Sequence, residues 1–256
     1  MRDILDAVAA GDLSPAEAEA RLAGYATTEA GRFDAARERR RGVPEAILAE
    51  GKTPGEVATL ATAALETTGR ALLTRVDEAA VAAVTDAVPG DASVDHDERA
   101  RTVVVHGPSY EPPSVNATVA VVTAGTSDAE AAGEAAVLAR ELGATVERVS
   151  DVGVAHLGRI VDNLETLRAA DVAVVAAGRE GALPTVVAGL VDTPVIGLPV
   201  STGYGFGGDG ESALAGMLQS CTVLSVVNID AGFTAGAQAG LVARAVGAAR
   251  RDAADE

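Results

Sequence analysis

A few short loops carry residue types able to do chemistry, and each follows an apolar run. Gly125-Thr126-Ser127-Asp128 offers two hydroxyls, a carboxylate and closely spaced amides. The first amides of a helix have no partner within it, so this start suits a phosphate or carboxylate oxygen. The same four residues also read as an ordinary Ser or Asp helix cap. Ser150-Asp151-Val152-Gly153-Val154 supplies a further acid. Gly178-Arg179-Glu180-Gly181 sets a carboxylate between glycines, which let a ligand approach the backbone. Glu180 is therefore an acid or base candidate, or else a carboxylate favoured by a helix macrodipole. Gly203-Tyr204-Gly205-Phe206-Gly207-Gly208 matches a dinucleotide fingerprint poorly, with the wrong spacing and a position well after the first strand. It reads as a flexible loop over a ligand or as a plain solvent loop. Cys221, the single cysteine, is either a small buried hydrophobe or a nucleophile. His96, His106 and His156 have no ligand spacing, so no zinc or other metal site is expected. The chain has no Gly-x-Ser-x-Gly elbow and no Gly-Lys-Ser/Thr phosphate loop.

These loops need a scaffold, and the second half of the chain spells one. Apolar, β-branched runs predict strands at 117–123, 145–149, 172–177, 195–198 and 223–228. Helices are predicted between and after them, at 129–142, 157–168, 183–190, 211–219 and 234–250. Strictly alternating strands and helices imply a parallel sheet with right-handed crossovers. In such a sheet ligands bind beyond the carboxyl ends of the strands, where all of these loops fall.

The first half lacks that alternation. Ser14-Pro15-Ala16-Glu17 and Thr53-Pro54-Gly55-Glu56 are capping boxes with proline at the first helical position. The Arg-rich stretch 33–41 predicts another helix, and 71–74 and 102–105 predict strands. Residues 1–113 therefore read as a small α+β domain. Gly107-Pro108-Ser109-Tyr110-Glu111-Pro112-Pro113 is the linker candidate, and 114–256 is the α/β domain.

Bulk composition removes several classes. The 256 residues carry a formal charge of −17, which excludes the basic patch that nucleic acid or an anionic membrane needs. Lys52 is the only lysine. An acidic, Lys-poor surface fits a high-salt, acidic proteome or a GC-rich genome. Aromatics are only 2%, so the core must be built from Ala, Val, Leu and Ile. One cysteine forbids an internal disulfide. Met1-Arg2-Asp3-Ile4 opens no long apolar stretch, so no signal peptide is expected, and no run is long enough to span a membrane. A cytoplasmic location is the default expectation.

As an ordered set, the loops resemble the LarB family. The set is Gly125-Thr126-Ser127-Asp128, Asp151-Val152-Gly153-Val154-Ala155, Ala177-Gly178-Arg179-Glu180-Gly181-Ala182-Leu183, Pro194-Val195-Ile196-Gly197-Leu198-Pro199 and Val227-Asn228-Ile229-Asp230-Ala231-Gly232-Phe233. Arg39-Arg40-Arg41-Gly42-Val43-Pro44-Glu45, Glu50-Gly51-Lys52-Thr53 and Thr74-Arg75 resemble the family's amino-terminal signature. The carboxyl-terminal part is in turn similar to PurE, the aminoimidazole ribonucleotide carboxylase. The resemblance implies a flavodoxin-like three-layer parallel sheet and a homo-octamer. It implies nicotinic acid adenine dinucleotide and carbon dioxide or bicarbonate as substrates. The pyridinium ring is carboxylated at C5 and the phosphoanhydride is hydrolysed. AMP and pyridinium-3,5-dicarboxylic acid mononucleotide, a nickel-pincer cofactor precursor, result. No tightly bound cofactor is implied, and magnesium is a candidate aid to the hydrolysis.

The resemblance also distributes roles. Cys221 falls where the family carries its cysteine, whose thiolate adds to the ring so that a neighbouring carbon becomes nucleophilic. Glu180 and Asp128 become the acid and base candidates. Gly125, Thr126, Ser127, Asp151, Gly153, Arg159, Gly178, Gly181, Gly203 and Gly205 become substrate contacts, with Lys52 or Arg75 on a phosphate. One departure stands out. The family has a His-Arg pair after the second strand of its sheet, whereas this chain reads His156-Leu157-Gly158-Arg159. Arg159 matches, Gly158 replaces the histidine, and His156 lies two residues earlier. PurE enzymes rely on that histidine, so its displacement counts against the alternative reading as an aminoimidazole ribonucleotide carboxylase or mutase. A third reading is a nucleotide-binding module without turnover.

Overall fold

The computed structural model describes residues 2–15, 18, 22 and 24–255. The chain divides into two compact units, Met1–Glu111 and Pro112–Glu256. In the first unit, α1 (Arg2–Ala10) is followed by the hairpin β1 (Ala26–Thr28) and β2 (Gly31–Phe33). Next come α2 (Arg37–Arg41), β3 (Ile47–Leu48), α3 (Pro54–Thr68), β4 (Arg70–Thr74), α4 (Glu78–Ala87), β5 (Ser93–Asp97) and β6 (Thr102–His106). The sheet order is β3-β4-β6-β5, with only β3 and β4 parallel. Val57, Leu60, Ala64 and Val84 from α3 and α4 pack on Leu73, Val103 and Val105, forming this unit's core.

The Thr53 capping box forms as the sequence requires. The Glu56 amide donates to Thr53 Oγ1 at 3.3 Å and the Thr53 amide to Glu56 Oε2 at 2.7 Å. The other expected box lies partly outside the described residues, at Ala16 and Glu17. The helix expected over 33–41 is shorter. Phe33 ends β2 with its ring in the core, and only Arg37–Arg41 is helical before Gly42 turns left-handed at φ 71°.

The second unit runs β7 (Thr118–Thr123), α5 (Ala129–Glu141), β8 (Thr145–Val149), α6 (Gly158–Asp162), α7 (Leu164–Ala169) and β9 (Val172–Ala177). It continues through α8 (Ala182–Ala188), β10 (Val195–Pro199), α9 (Glu211–Leu218), β11 (Ser225–Val226) and α10 (Gly232–Asp255). All strand pairs are parallel, in the order β11-β10-β9-β7-β8. Renumbered within the sheet, this is the 2-1-3-4-5 order of flavodoxin-like folds, as expected. Helices cover both faces. On one, Ala135 of α5 and Ala239 of α10 meet Val119, Val121 and Val174. On the other, Ile160, Leu167, Leu183 and Met217 meet Val122 and Val175.

Small residues replace aromatics by letting helices approach. A Cβ at Gly236 would lie 2.5 Å from the Ala135 carbonyl oxygen, so α10 can rest against α5 only with glycine there. Two expected elements change in detail. The helix over 157–168 breaks at Asn163 (φ −106°, ψ 8°) into α6 and α7. The last strand shrinks to two residues, because Val223 is exposed and the Thr222 amide turns back to Ser220 Oγ.

Candidate active site

In a 2-1-3-4-5 sheet the chain leaves β7 and β9 in opposite directions, which opens a crevice at their carboxyl ends. A cavity of about 500 Å3 lies there. Gly125, Ser127 and Asp128 reach it from the loop after β7, Gly153 from the loop after β8, and Gly178 and Glu180 from the loop after β9. A second cavity of about 230 Å3 lies under the glycine-rich loop after β10. Gly203 and Gly205 line it, and Arg179, Glu180 and Thr202 line both cavities.

Asp128 is the chemically distinctive member. It is 2% exposed at the end of a 3-10 turn, Thr126–Asp128. Burial pushes its carboxyl above the usual aspartate value of 3.8, and the amides of Gly125, Ala124 and Gly178 offset this only in part. The Gly125 amide donates to Asp128 Oδ2 at 2.8 Å. No cation pairs with Asp128 among the described residues. A buried carboxylate with a raised pKa can hold and release a proton nearer to neutral pH, as acid–base catalysis needs.

The loops around it hold tight backbone geometry. A Cβ at Gly178 would collide with the Thr202 carbonyl oxygen, so two strand-end loops touch there. Asp151, Arg179, Asp209 and Asp230 each follow a strand of this unit with φ between 52° and 58°. That left-handed region is unfavourable for side-chain-bearing residues, and such positions cluster at binding sites.

Other expected site residues fall elsewhere. Thr126 and Gly181 stand beside the cavity residues without lining it, and Gly181 packs on the Ala213 backbone. Asp151 and Arg159 pair with each other at 2.9 Å on the exposed rim. Lys52 and Arg75 belong to the first unit. There Lys52 Nζ donates to the Leu48 carbonyl at 2.7 Å, and Arg75 pairs with Glu50 at 3.0 Å. Cys221 is exposed and lines neither cavity. It follows α9, which starts at the glycine loop and runs back towards the amino ends of the strands. Eight helical residues cover about 12 Å. Just beyond Cys221, Thr222 lies against Gly189 at the end of α8, and Ser225 pairs with Ile196, the second residue of β10. Within one chain, then, the thiol and the two carboxylates do not meet.

Two features went unselected in the sequence. Thr202 and Arg179 both lie in strand-end loops, and that position was the signal available for them. The missing histidine side chain also has an explanation. The His156 ring folds over Gly158, and a Cβ at 158 would lie 2.7 Å from His156 Cε1. The imidazole thus occupies the space a side chain at 158 would need. Among the described residues, no group of three or more His, Cys, Asp or Glu side chains is placed to hold a metal ion.

Residues 25–108 match the LarB/PurE-like N-terminal domain, and residues 118–256 match the AIR carboxylase domain. This chain belongs to the LarB family. It is also 36% identical over 254 residues to an uncharacterized protein of Methanocaldococcus jannaschii, covering 95% of this chain and 97% of that relative. The LarB domain pair makes it a carboxylase-type enzyme with a nucleotide-type substrate. No helix among the described residues is long and apolar enough to cross a membrane.

Proposed function

We propose that this LarB-family chain carboxylates C5 of the pyridinium ring of nicotinic acid adenine dinucleotide and hydrolyses its phosphoanhydride. The products are AMP and pyridinium-3,5-dicarboxylic acid mononucleotide, for nickel-pincer cofactor synthesis. The observation that carries this reading is Asp128, a buried carboxylate with a raised pKa at the sheet's switch point, in a chain with a LarB-type amino-terminal domain.

A pyridinium carbon is electron-poor and does not attack carbon dioxide. Thiolate addition to the ring breaks aromaticity and leaves an enamine, whose β-carbon is C5. C5 bonds to carbon dioxide, Asp128 or Glu180 takes the C5 proton, and the returning ring electrons expel the thiolate. Water then splits the phosphoanhydride between the two nucleotides. Ser127 and the amides of the 125–128 turn hold substrate oxygens. The sequence needs no tightly bound cofactor, and magnesium is a variable of the assay.

Cys221 supplies the thiolate. Because it stands near the amino ends of its own strands, it serves the cavity of a second copy in a homo-oligomer, for which the family expectation is an octamer. An exposed sulfur is what such sharing requires.

The test is to offer the full-length protein nicotinic acid adenine dinucleotide and, separately, aminoimidazole ribonucleotide, each with bicarbonate, with and without magnesium. AMP together with a mononucleotide heavier by one carboxylate is the expected result. Turnover of aminoimidazole ribonucleotide alone, or of neither compound, contradicts the proposal.

A further inference from the structure

The chain has only three tyrosines and three phenylalanines, yet two of these six stand in solvent on one loop. Tyr204 is 82% exposed and Phe206 104% exposed. An aromatic side chain left in water forgoes about 1.5–3 kcal/mol of burial, so a pair placed at the mouth of a cavity calls for a ligand. The pair is also organised. The Arg179 guanidinium carbon lies 4.7 Å from the centre of the Tyr204 ring. The Gly203 backbone rests on Arg179, since a Cβ there would sit 3.4 Å from the Arg179 nitrogen. Arg179 thus covers one face of Tyr204 and leaves the ring otherwise open.

Arg179 also joins the two cavities, because it lines both. The larger holds Asp128 and Ser127, where the ring chemistry belongs. The smaller lies between Arg179 and the aromatic loop; it shares Glu180 with the larger, has Asp209 as its own acid and lacks the buried Asp128. A dinucleotide has this same division: a reacting half, an anionic bridge and a second flat base.

We propose that the smaller cavity and its loop form the adenylate subsite, with Tyr204 and Phe206 stacking on the purine and Arg179 meeting the bridging phosphates. This inference rests on the dinucleotide reading above and extends it to three residues that reading does not use. A neutral aromatic base suits Tyr204 and Phe206, because every base presents a π face. A cation at the junction suits the bridge, where an acidic chain otherwise repels phosphate.

The experiment titrates AMP into the full-length protein and its Tyr204→Ala, Phe206→Ala and Tyr204→Trp variants, and measures the KM for nicotinic acid adenine dinucleotide in each. The expected result is an affinity for AMP about tenfold weaker in each alanine variant and retained in Tyr204→Trp. KM rises in parallel while kcat changes little. Affinity for nicotinic acid mononucleotide stays at the wild-type value. Unchanged AMP binding in both alanine variants overturns the subsite, even if the wild type turns the dinucleotide over. A change of oligomer mass in Phe206→Ala by light scattering, with AMP binding intact, also overturns it and assigns the loop to an interface between copies. If the wild type forms no product yet AMP binding depends on both aromatics, the subsite stands and the proposed reaction falls.

Discussion

The first unit and the switch point of the second treat charge in opposite ways. In the first, acids meet arginines: Glu38 with Arg70 at 2.6 Å, Asp34 with Arg40 at 2.6 Å, Glu45 with Arg37, and Glu50 with Arg75. Its cavity of about 370 Å3 is walled by Asp34, Glu38, Glu45 and Arg70, all of them engaged in these pairs. At the strand ends of the second unit, Asp128 is buried against backbone amides alone. The titrations diverge accordingly. The Arg40 guanidinium holds Asp34 below its usual range, whereas burial lifts Asp128 above it. A paired acid is settled in one charge state and serves the fold. A buried acid without a cation has its charged form disfavoured, which costs stability and serves chemistry. The cavity of the first unit is thus the poorer candidate for the reaction.

That contrast is broken most sharply at Asp128. Asp128→Asn should lower the rate of carboxylation on the order of 10²–10⁴-fold while the protein stays folded, as product formation and thermal melting will show. The acid limb of the wild-type pH–rate profile should lie above 3.8 and vanish in the variant. The stability effect has a defined sign. Below pH 3.8 Asp128 is protonated in both folded and unfolded chains and contributes no difference. As pH rises towards the raised folded value, the unfolded chain ionises first and the folded state loses stability relative to it. The Tm of Asp128→Asn should therefore improve relative to wild type across that interval.

On the other side of the contrast, Arg70→Ala removes a cation that is 4% exposed and lies over the Tyr110 ring. It leaves Glu38 without this partner. Full loss of a buried pair costs about 3–5 kcal/mol, and the exposure of Glu38 reduces this to about 2–3 kcal/mol by denaturant unfolding. Thr53→Ala should cost less, about 1 kcal/mol by the same measurement, because it removes one cap that water replaces in part.

The sheet of the second unit was legible because its three central strands are buried on both faces and so read as unbroken apolar runs, as in 172–177. Alternation then fixed the parallel topology, and the loops that must converge followed from it. The first unit was harder to read. Its edge strand β5 reads Ser-Val-Asp-His-Asp, almost wholly exposed, and carries no apolar alternation to detect. Hairpin β1–β2 is three residues per strand, too short for any period. At the site, Asp128 and Glu180 were legible as acids at strand ends. The position of Cys221 was implicit too, since a residue between a crossover helix and the next strand lies at the far end of the sheet. What a single chain cannot encode in its periodicity is a side chain delivered by another copy.

The most direct test of this shared site is to co-express differently tagged Cys221→Ala and Asp128→Asn chains and purify assemblies that contain both. Each variant alone should be inactive, and the mixed assemblies should recover carboxylation, because one chain's intact carboxylate then faces the other's intact thiol. Mixed assemblies as inactive as their parents would place both groups in one chain's site and contradict the account, as would a parent that keeps wild-type activity.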